Sequence, residues 1–217
     1  MMTSLFSPFD PSTMKMQMNW MSMLIPMLIL PNKYWMKNSR WLTLTKMTEK
    51  KISSEFMNIT HHKEMILLST SMFMVITMNN IMGLLPYVFT STSHMSISLS
   101  LALPTWIMLM LYGWLNHTNS MFMHLLPTGT PYMIMPMMII IETTGNLIRP
   151  ISLSVRLTAN MIAGHLLMTL LGNLSDMNST MLTFPIKILL MSFESAISII
   201  QAYVFSTLVT LYSSEIP

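Results

Sequence analysis

The chain has 217 residues, of which 52% are hydrophobic and only 9% charged, and its formal net charge is +3. Soluble domains carry about 25% charged residues. The composition therefore excludes an ordinary soluble protein and predicts one integral membrane domain over residues 1–217. So small a net charge gives no indication of nucleic-acid binding. Cysteine is absent, which excludes disulfides, thiolate metal sites and a cysteine nucleophile; no cofactor or metal site is expected.

Methionine is over-represented, with 30 residues, often where isoleucine or leucine would be expected. Packing alone does not explain this number, because methionine serves mainly to fill irregular gaps. Drift in an AT-rich genome that reads an isoleucine codon as methionine explains it better, and this predicts an organelle-encoded protein. The first 14 residues contain no Lys or Arg, unlike a targeting presequence.

The first predicted elements are a membrane span and a basic segment. Residues 16–32 are uncharged and mostly apolar, at the lower limit of about 17–25 residues for a spanning helix. Residues 33–64 hold seven Lys and Arg residues with apolar residues interleaved, a pattern typical of an interfacial amphipathic helix. The positive-inside rule then puts this segment inside, the N-terminus outside and, after five crossings, the C-terminus inside.

The remaining elements are apolar. Residues 65–115 predict a hairpin of two spanning helices. Residues 132–172 and 181–212 predict a pair of helices longer than a ~30 Å hydrocarbon core requires, so both should be steeply tilted or kinked. The predicted fold class is all-α: a polytopic membrane protein with about five transmembrane helices and one interfacial amphipathic helix.

The two long helices carry polar residues at heptad spacing. These are Glu142, Arg149 and Arg156 on the first helix, and Lys187, Glu194 and Gln201 on the second. Seven residues return a helix to within ~20° of its starting direction, so each set lines one face. Asn160 extends the first set by one turn. The two polar stripes are expected to pack against each other, away from lipid.

Arg156 lies in the middle of its apolar run, too far from either end to reach the interface easily. An arginine stays protonated, at a cost of roughly 2.5–3.5 kcal/mol at the bilayer centre, so function is the first hypothesis for it. The alternative is structural: Glu194 neutralises an arginine, and Glu142 pairs with Arg149. His165 is a candidate proton-relay group because the neighbouring helix carries Glu194.

Several motifs resemble one family. Residues 148–167 read Ile-Arg-Pro-Ile-Ser-Leu-Ser-Val-Arg-Leu-Thr-Ala-Asn-Met-Ile-Ala-Gly-His-Leu-Leu, residues 80–87 read Asn-Ile-Met-Gly-Leu-Leu-Pro-Tyr, and residues 201–205 read Gln-Ala-Tyr-Val-Phe. In these motifs the chain resembles subunit a of F-type ATP synthases, and especially its mitochondrially encoded invertebrate form. The resemblance covers most of the chain from Asn80 onward, whereas the first 60 residues are similar only in layout.

The resemblance implies roles for six residues in proton translocation. Arg156 would be the essential arginine facing the rotating ring of c subunits, flanked by Asn160 and Gln201. His165 and Glu194 would lie in a half-channel open to the intermembrane space. Glu142 would lie in one open to the matrix.

The same resemblance implies a place in the mitochondrial inner membrane. The expected partners are the c-ring, the peripheral stalk, other membrane-sector subunits, the lipid bilayer and protons. With no phosphate-binding loop, the chain is not expected to make ATP alone.

Three other classes of protein are alternatives to this family. A subunit of another proton-pumping respiratory complex would rely more on lysine and glutamate chains. A structural membrane subunit would have no transport role. An intramembrane hydrolase is disfavoured, because none of the six glycines is followed two positions later by the serine of a nucleophile elbow.

Overall fold

The structure, a computed structural model, describes residues 5–12, 17–29, 36–60, 63–85, 88–126, 129, 131–173 and 180–216. Within these residues the chain is entirely helical, with no strand, which confirms the predicted all-α class. The α-helices are α1 (Ile25–Ile29), α2 (Arg40–Ile59), α3 (Lys63–Gly83), α4 (Met95–Asn116), α5 (Thr118–Leu125), α6 (Met135–Asn173) and α7 (Thr180–Ser214). Three 3-10 helices cover Ser7–Phe9, Met18–Leu24 and Ser91–Ser93.

Four helices in the described part are long and apolar enough to cross a membrane: α3, α4, α6 and α7 from Thr183 onward. The α6 helix alone has 39 residues and is ~58 Å long, so it must tilt across a ~30 Å hydrocarbon core or extend beyond it. Pro150 lies buried inside α6. Because proline lacks an N–H group, the main-chain carbonyl of Asn146 loses its helical partner there.

The span predicted over residues 16–32 differs from a single spanning helix. Its described part is a 3-10 helix, Met18–Leu24, followed by the five residues of α1. Together these extend only ~21 Å, less than a ~30 Å hydrocarbon core. Pro26 is the second residue of α1. Because it lacks an N–H group, the Ser22 carbonyl has no α-helical partner there, and it accepts from the Ile25 N–H in a 3-10 bond instead. Residues 16 and 30–32 lie outside the described residues.

The α2 helix lies within the basic segment predicted over residues 33–64. The side chain of Ser39 caps it by accepting a hydrogen bond from the Leu42 N–H at 3.2 Å, and Leu42 and Phe56 are buried. Trp41 remains exposed on its surface, as in an amphipathic helix. The Tyr203 hydroxyl donates a hydrogen bond to Glu55 at 3.1 Å, which ties α2 to α7. Residues 33–35 and 61–62 lie outside the described residues.

The α7 helix lies at the centre and packs on α2, α3, α4 and α6. Its buried face is built largely from small polar side chains such as Ser198, Ser206 and Thr210. Their hydroxyl groups donate to carbonyls of α7 itself at 2.8–2.9 Å. Because these polar groups are satisfied within their own helix, neighbouring helices can approach closely without leaving a donor unpaired.

Candidate functional site

The α6 and α7 helices carry all six predicted site residues and border two cavities. The Glu194 cavity, of about 530 Å³, contacts α6 from Leu157 to Leu167 and α7 from Ile186 to Gln201. The Arg149 cavity, also about 530 Å³, contacts α6 from Glu142 to Arg149 and the end of α7 from Tyr212. The two cavities therefore lie toward opposite ends of the helix pair.

The Glu194 cavity brings together three of the predicted site residues: Asn160, Glu194 and Gln201. It also contains Asn80 of α3, which the sequence motifs included but which was not assigned to the site. Asn80 is fully buried, and its side-chain N–H group donates to the main-chain oxygen of Ser198 at 3.3 Å. The two adjacent amides, Asn79 and Asn80, in an uncharged span were the signal that could have identified it.

Glu194 is buried, with 8% of its surface exposed, and its Oε1 has no hydrogen-bond partner in the described part. The Oδ1 atom of Asn80 is also without a partner there. Buried polar atoms of this kind are costly unless they are hydrogen-bonded. The cavity is large enough to hold several waters, each needing about 30 Å³ and two to four polar contacts. It can therefore hydrate a carboxyl group inside the helix bundle.

His165 lies one residue beyond the point where α6 contacts Glu194. The adjacent Gly164 packs against the Glu194 carboxyl group. The expected pair of His165 and Glu194 is not hydrogen-bonded among the described residues, and His165 Nε2 is buried without a partner. Instead, the imidazole meets the ring of Phe9 edge-on, with centroids 6.1 Å apart.

The Arg149 cavity contains Glu142, the predicted residue at this end. Arg149 hydrogen-bonds to Glu215, lies 4.0 Å from the Glu142 carboxylate, and stacks over the Tyr212 ring at 4.8 Å. The alternative pairing of Glu142 with Arg149 is therefore present, but Arg149 is shared between two carboxylates. Glu215 was missed, although it continues the heptad series of α7 two repeats beyond Gln201.

Arg156 lies on α6 between the two cavities and lines neither of them. It is seven residues from Arg149 and four from Asn160, or ~10 Å and ~6 Å along the axis. Its side chain is exposed and forms no hydrogen bond or ion pair within the described residues. The prediction that this stripe packs wholly against α7 is wrong for Arg156, which faces away from the helix pair.

An apolar layer separates the cavities. It consists mainly of the buried apolar side chains Leu153, Leu157, Ala202, Phe205 and Val209. The buried hydroxyl groups of Ser154, Ser206 and Thr210 lie at the same level, and each donates to a carbonyl of its own helix. Beside the layer lies a void of about 10 Å³, at the lower limit for a single water. On α7, Gln201 and Tyr212 border the two cavities and lie ~16 Å apart along the axis. The two cavities share no lining residue in the described part of the chain.

The comparisons with known proteins agree over most or all of the chain. A family model described as ATP synthase A chain matches residues 16–214. The ATP synthase subunit a of Drosophila simulans is 49% identical over 223 residues, covering 100% of both chains. Those of Aedes aegypti and Anopheles gambiae are each 48% identical over 225 residues, also with 100% coverage of both chains. The chain therefore belongs to the ATP synthase subunit a family, the proton-translocating stator of the membrane sector.

Proposed function

We propose that this chain moves protons across the mitochondrial inner membrane in two offset steps, joined by transfer to a carboxyl group on a rotating ring of c subunits. The observation that carries the proposal is the position of Arg156. It is exposed on the outer face of α6 between two cavities that an apolar layer keeps apart. A proton that enters one cavity can reach the other only by leaving the chain near Arg156.

The surface around Arg156 suits a second helix. Ser152, Ala159 and Ala163 are exposed on α6 at spacings of three and four residues from each other or from Arg156, so they share its face. Small side chains let helix backbones approach closely in a membrane. The geometry supports a helix of the c-ring as the partner here, with its carboxyl group brought next to the guanidinium.

The charge of Arg156 would drive the exchange. A rotor carboxyl group that crosses lipid must be protonated, because a bare charge is costly there. An opposite charge within ~4–6 Å favours the ionised form, so the group would release its proton beside Arg156. It would regain a proton before re-entering lipid. The same positive charge repels free protons and prevents a leak along the outer face of α6.

In the Glu194 cavity, Glu194 would accept and pass protons. Asn160 and Gln201 would hold waters between this carboxyl group and the face that carries Arg156, since amides can donate and accept hydrogen bonds. His165 does not line this cavity, but it would relay protons beside it, next to Gly164. The buried, unpartnered oxygens of Glu194 and Asn80 support a hydrated path.

In the Arg149 cavity, Glu142 and Glu215 would be the groups that exchange protons with the other compartment. Arg149 lies between them and would hold both carboxylates at the cavity wall. Tyr212 packs on the guanidinium and limits its motion. Two carboxylates sharing one arginine keep the local charge near neutral when only one of them is ionised.

The direction of transport follows from topology. The basic segment that contains α2 would face the matrix by the positive-inside rule. The N-terminus and the Glu194 cavity would then face the intermembrane space, while the C-terminus and the Arg149 cavity would face the matrix. Other membrane-sector subunits and the peripheral stalk are the remaining expected partners.

The decisive experiment replaces Arg156 with alanine in the assembled complex and measures ATP-driven proton pumping into closed vesicles. Arg40→Ala is the matched control, because Arg40 is an exposed arginine at the start of α2. We expect Arg156→Ala to abolish pumping with assembly intact, and Arg40→Ala to pump normally. Normal pumping by Arg156→Ala would contradict the proposal. Loss of assembly alone would favour a structural role for this chain.

A further inference from the structure

The N-terminal segment reaches the end of α6 that carries His165. Its 3-10 helix ends at Phe9, whose ring meets the imidazole of His165 edge-on at an interplanar angle of 87°. This contact places Phe9, which is distant from α6 in the sequence, beside a predicted proton-relay group. Composition and heptad spacing give no indication of the contact.

Packing, rather than hydrogen bonding, orients His165. A functional histidine usually has its second ring nitrogen bound to a carbonyl or carboxylate, which fixes its tautomer and orientation. Within the described residues His165 makes no such bond, and its Nε2 is buried without a partner. The edge-on ring of Phe9 is the aromatic contact that His165 makes among the described residues, and it restricts rotation of the imidazole.

Phe9 is itself held by His94. The Nε2 atom of His94 lies 3.0 Å from the main-chain oxygen of Phe9. A carbonyl oxygen only accepts hydrogen bonds, so Nε2 must carry the hydrogen. His94 immediately precedes α4, and its ring packs on Trp20 and Phe89 with centroids 5.1 Å and 5.3 Å away. The contacts with Trp20 and Phe89 fix the orientation of the His94 ring and therefore of its Nε2–H donor.

We propose that His94 is a positioning residue for proton transfer: through its bond to the Phe9 carbonyl it holds the Phe9 ring against His165. The inference rests on the proposed role of His165 as a proton relay. A fixed imidazole keeps its ring nitrogens aimed along one path. A free one rotates and spends only part of its time in the productive geometry, which slows the transfer.

The first test compares two substitutions at His94 in the assembled complex. His94→Leu removes the donor, whereas His94→Gln keeps a side-chain N–H group that can reach the carbonyl. We expect His94→Leu to lower ATP-driven proton pumping about two- to tenfold, the equilibrium equivalent of one lost neutral hydrogen bond. His94→Gln should restore most of the rate. An equal defect in both variants would overturn the hydrogen bond as the cause.

A second variant distinguishes the role of the Phe9 ring from that of the hydrogen bond between His94 and the Phe9 carbonyl. Phe9→Ala keeps the main-chain carbonyl that His94 binds but removes the side chain that meets His165. We expect it to pump as poorly as His94→Leu. Normal pumping by Phe9→Ala would overturn the proposed action of the Phe9 ring, whatever happens at His94.

A distance measurement tests, without relying on transport, whether the hydrogen bond from His94 to the Phe9 carbonyl anchors the N-terminal segment. The chain contains no cysteine, so nitroxide labels can be attached at Phe6→Cys and Leu170→Cys, both exposed positions, in a complex whose other subunits carry no reactive cysteine. We expect a narrow distance distribution with His94 or His94→Gln, and a broad one with His94→Leu. A narrow distribution in all three would overturn the anchor.

His165→Ala, assayed in parallel, distinguishes the relay role of His165 from the positioning role of His94. If His165→Ala is impaired but His94→Leu and Phe9→Ala pump normally, the positioning role alone is wrong. If His165→Ala pumps normally, the relay role given to His165 is wrong, and the positioning role fails with it. The label distances would still report whether His94 anchors the N-terminal segment.

Discussion

The carboxyl group of Glu194 lies directly against the backbone of Gly164. A Cβ atom at position 164 would stand 2.9 Å from both Cδ and Oε1 of Glu194, closer than any normal contact. The absence of a side chain on Gly164 therefore lets the carboxyl group of α7 reach the surface of α6. It also sets where Glu194 sits in its cavity.

Gly164→Ala is expected to displace the Glu194 carboxyl group and to lower proton pumping roughly tenfold or more, because small misplacements of a transfer group are costly. The flexible glutamate should move rather than the helix. Alanine is also the better helix former by about 1 kcal/mol, so assembly should survive. The measurement is ATP-driven pumping per assembled complex in closed vesicles.

Gly145→Ala provides the matched control on the same helix. Nothing lies within 4 Å of a Cβ atom at Gly145, so this substitution has the same propensity effect without the contact. It should pump like the parent chain. Equal rates for Gly164→Ala and Gly145→Ala would show that the position of Glu194 does not limit transport.

Heptad spacing predicted which residues of α7 share a face. It placed Glu194 and Gln201 on one face of α7, and they do share a cavity with Asn160 of α6. It did not predict that Arg156 faces outward, because spacing defines a face without saying what covers it. A membrane-buried guanidinium requires a partner, and Arg156 has none among the described residues of this chain.

The sequence did not predict contacts between residues that are far apart along the chain. Glu215 lies near the C-terminus, where a single acidic residue has no periodic neighbour one heptad away, since position 208 is leucine. The Phe9–His165 contact depends on how the N-terminal segment folds back. Residues 16–32, which follow that segment, were predicted to form one spanning helix, but their described part is a 3-10 helix and the five residues of α1.

The apolar layer between the cavities should act as a seal. Phe205 is 3% exposed and is the largest side chain in this layer. Phe205→Ser makes the layer both smaller and polar, so we expect water to join the two cavities. The result should be passive proton leak through the vesicles and loss of coupling to ATP hydrolysis. Proton permeability is measured without nucleotide and compared with the parent complex.

Two controls define the cause of such a leak. Phe205→Leu keeps the layer apolar, and a small apolar void stays dry, so this variant should remain sealed. Phe184→Ser makes the same chemical change at an exposed position of α7 and should also remain sealed. A leak in Phe205→Leu would mean that packing volume, rather than polarity, maintains the barrier.

Arg156→Lys should fail almost as completely as Arg156→Ala. Lysine keeps a positive charge in water, but it loses its proton readily in a medium of low polarity, and its ammonium lacks the planar fork that binds a carboxylate at two points. We expect coupled proton transport to be abolished with assembly intact. The test is proton-driven ATP synthesis in reconstituted vesicles, and sustained synthesis by Arg156→Lys would refute the assignment of Arg156.

The Arg149–Glu215 pair predicts a non-additive result. Glu215→Gln leaves Arg149 with only the more distant Glu142 carboxylate, 4.0 Å away. The Arg149 charge is then balanced only while Glu142 is ionised, so protonation of Glu142 during proton exchange becomes less favourable and pumping should slow several-fold. Arg149→Gln combined with Glu215→Gln removes both charges and should pump faster than Glu215→Gln alone.

For a partly exposed pair we expect a coupling of about 1 kcal/mol or less, measured from pumping rates in a double-mutant cycle. Strictly additive effects would mean that the two side chains act independently, and Glu142 would then be the sole carboxylate that responds to Arg149.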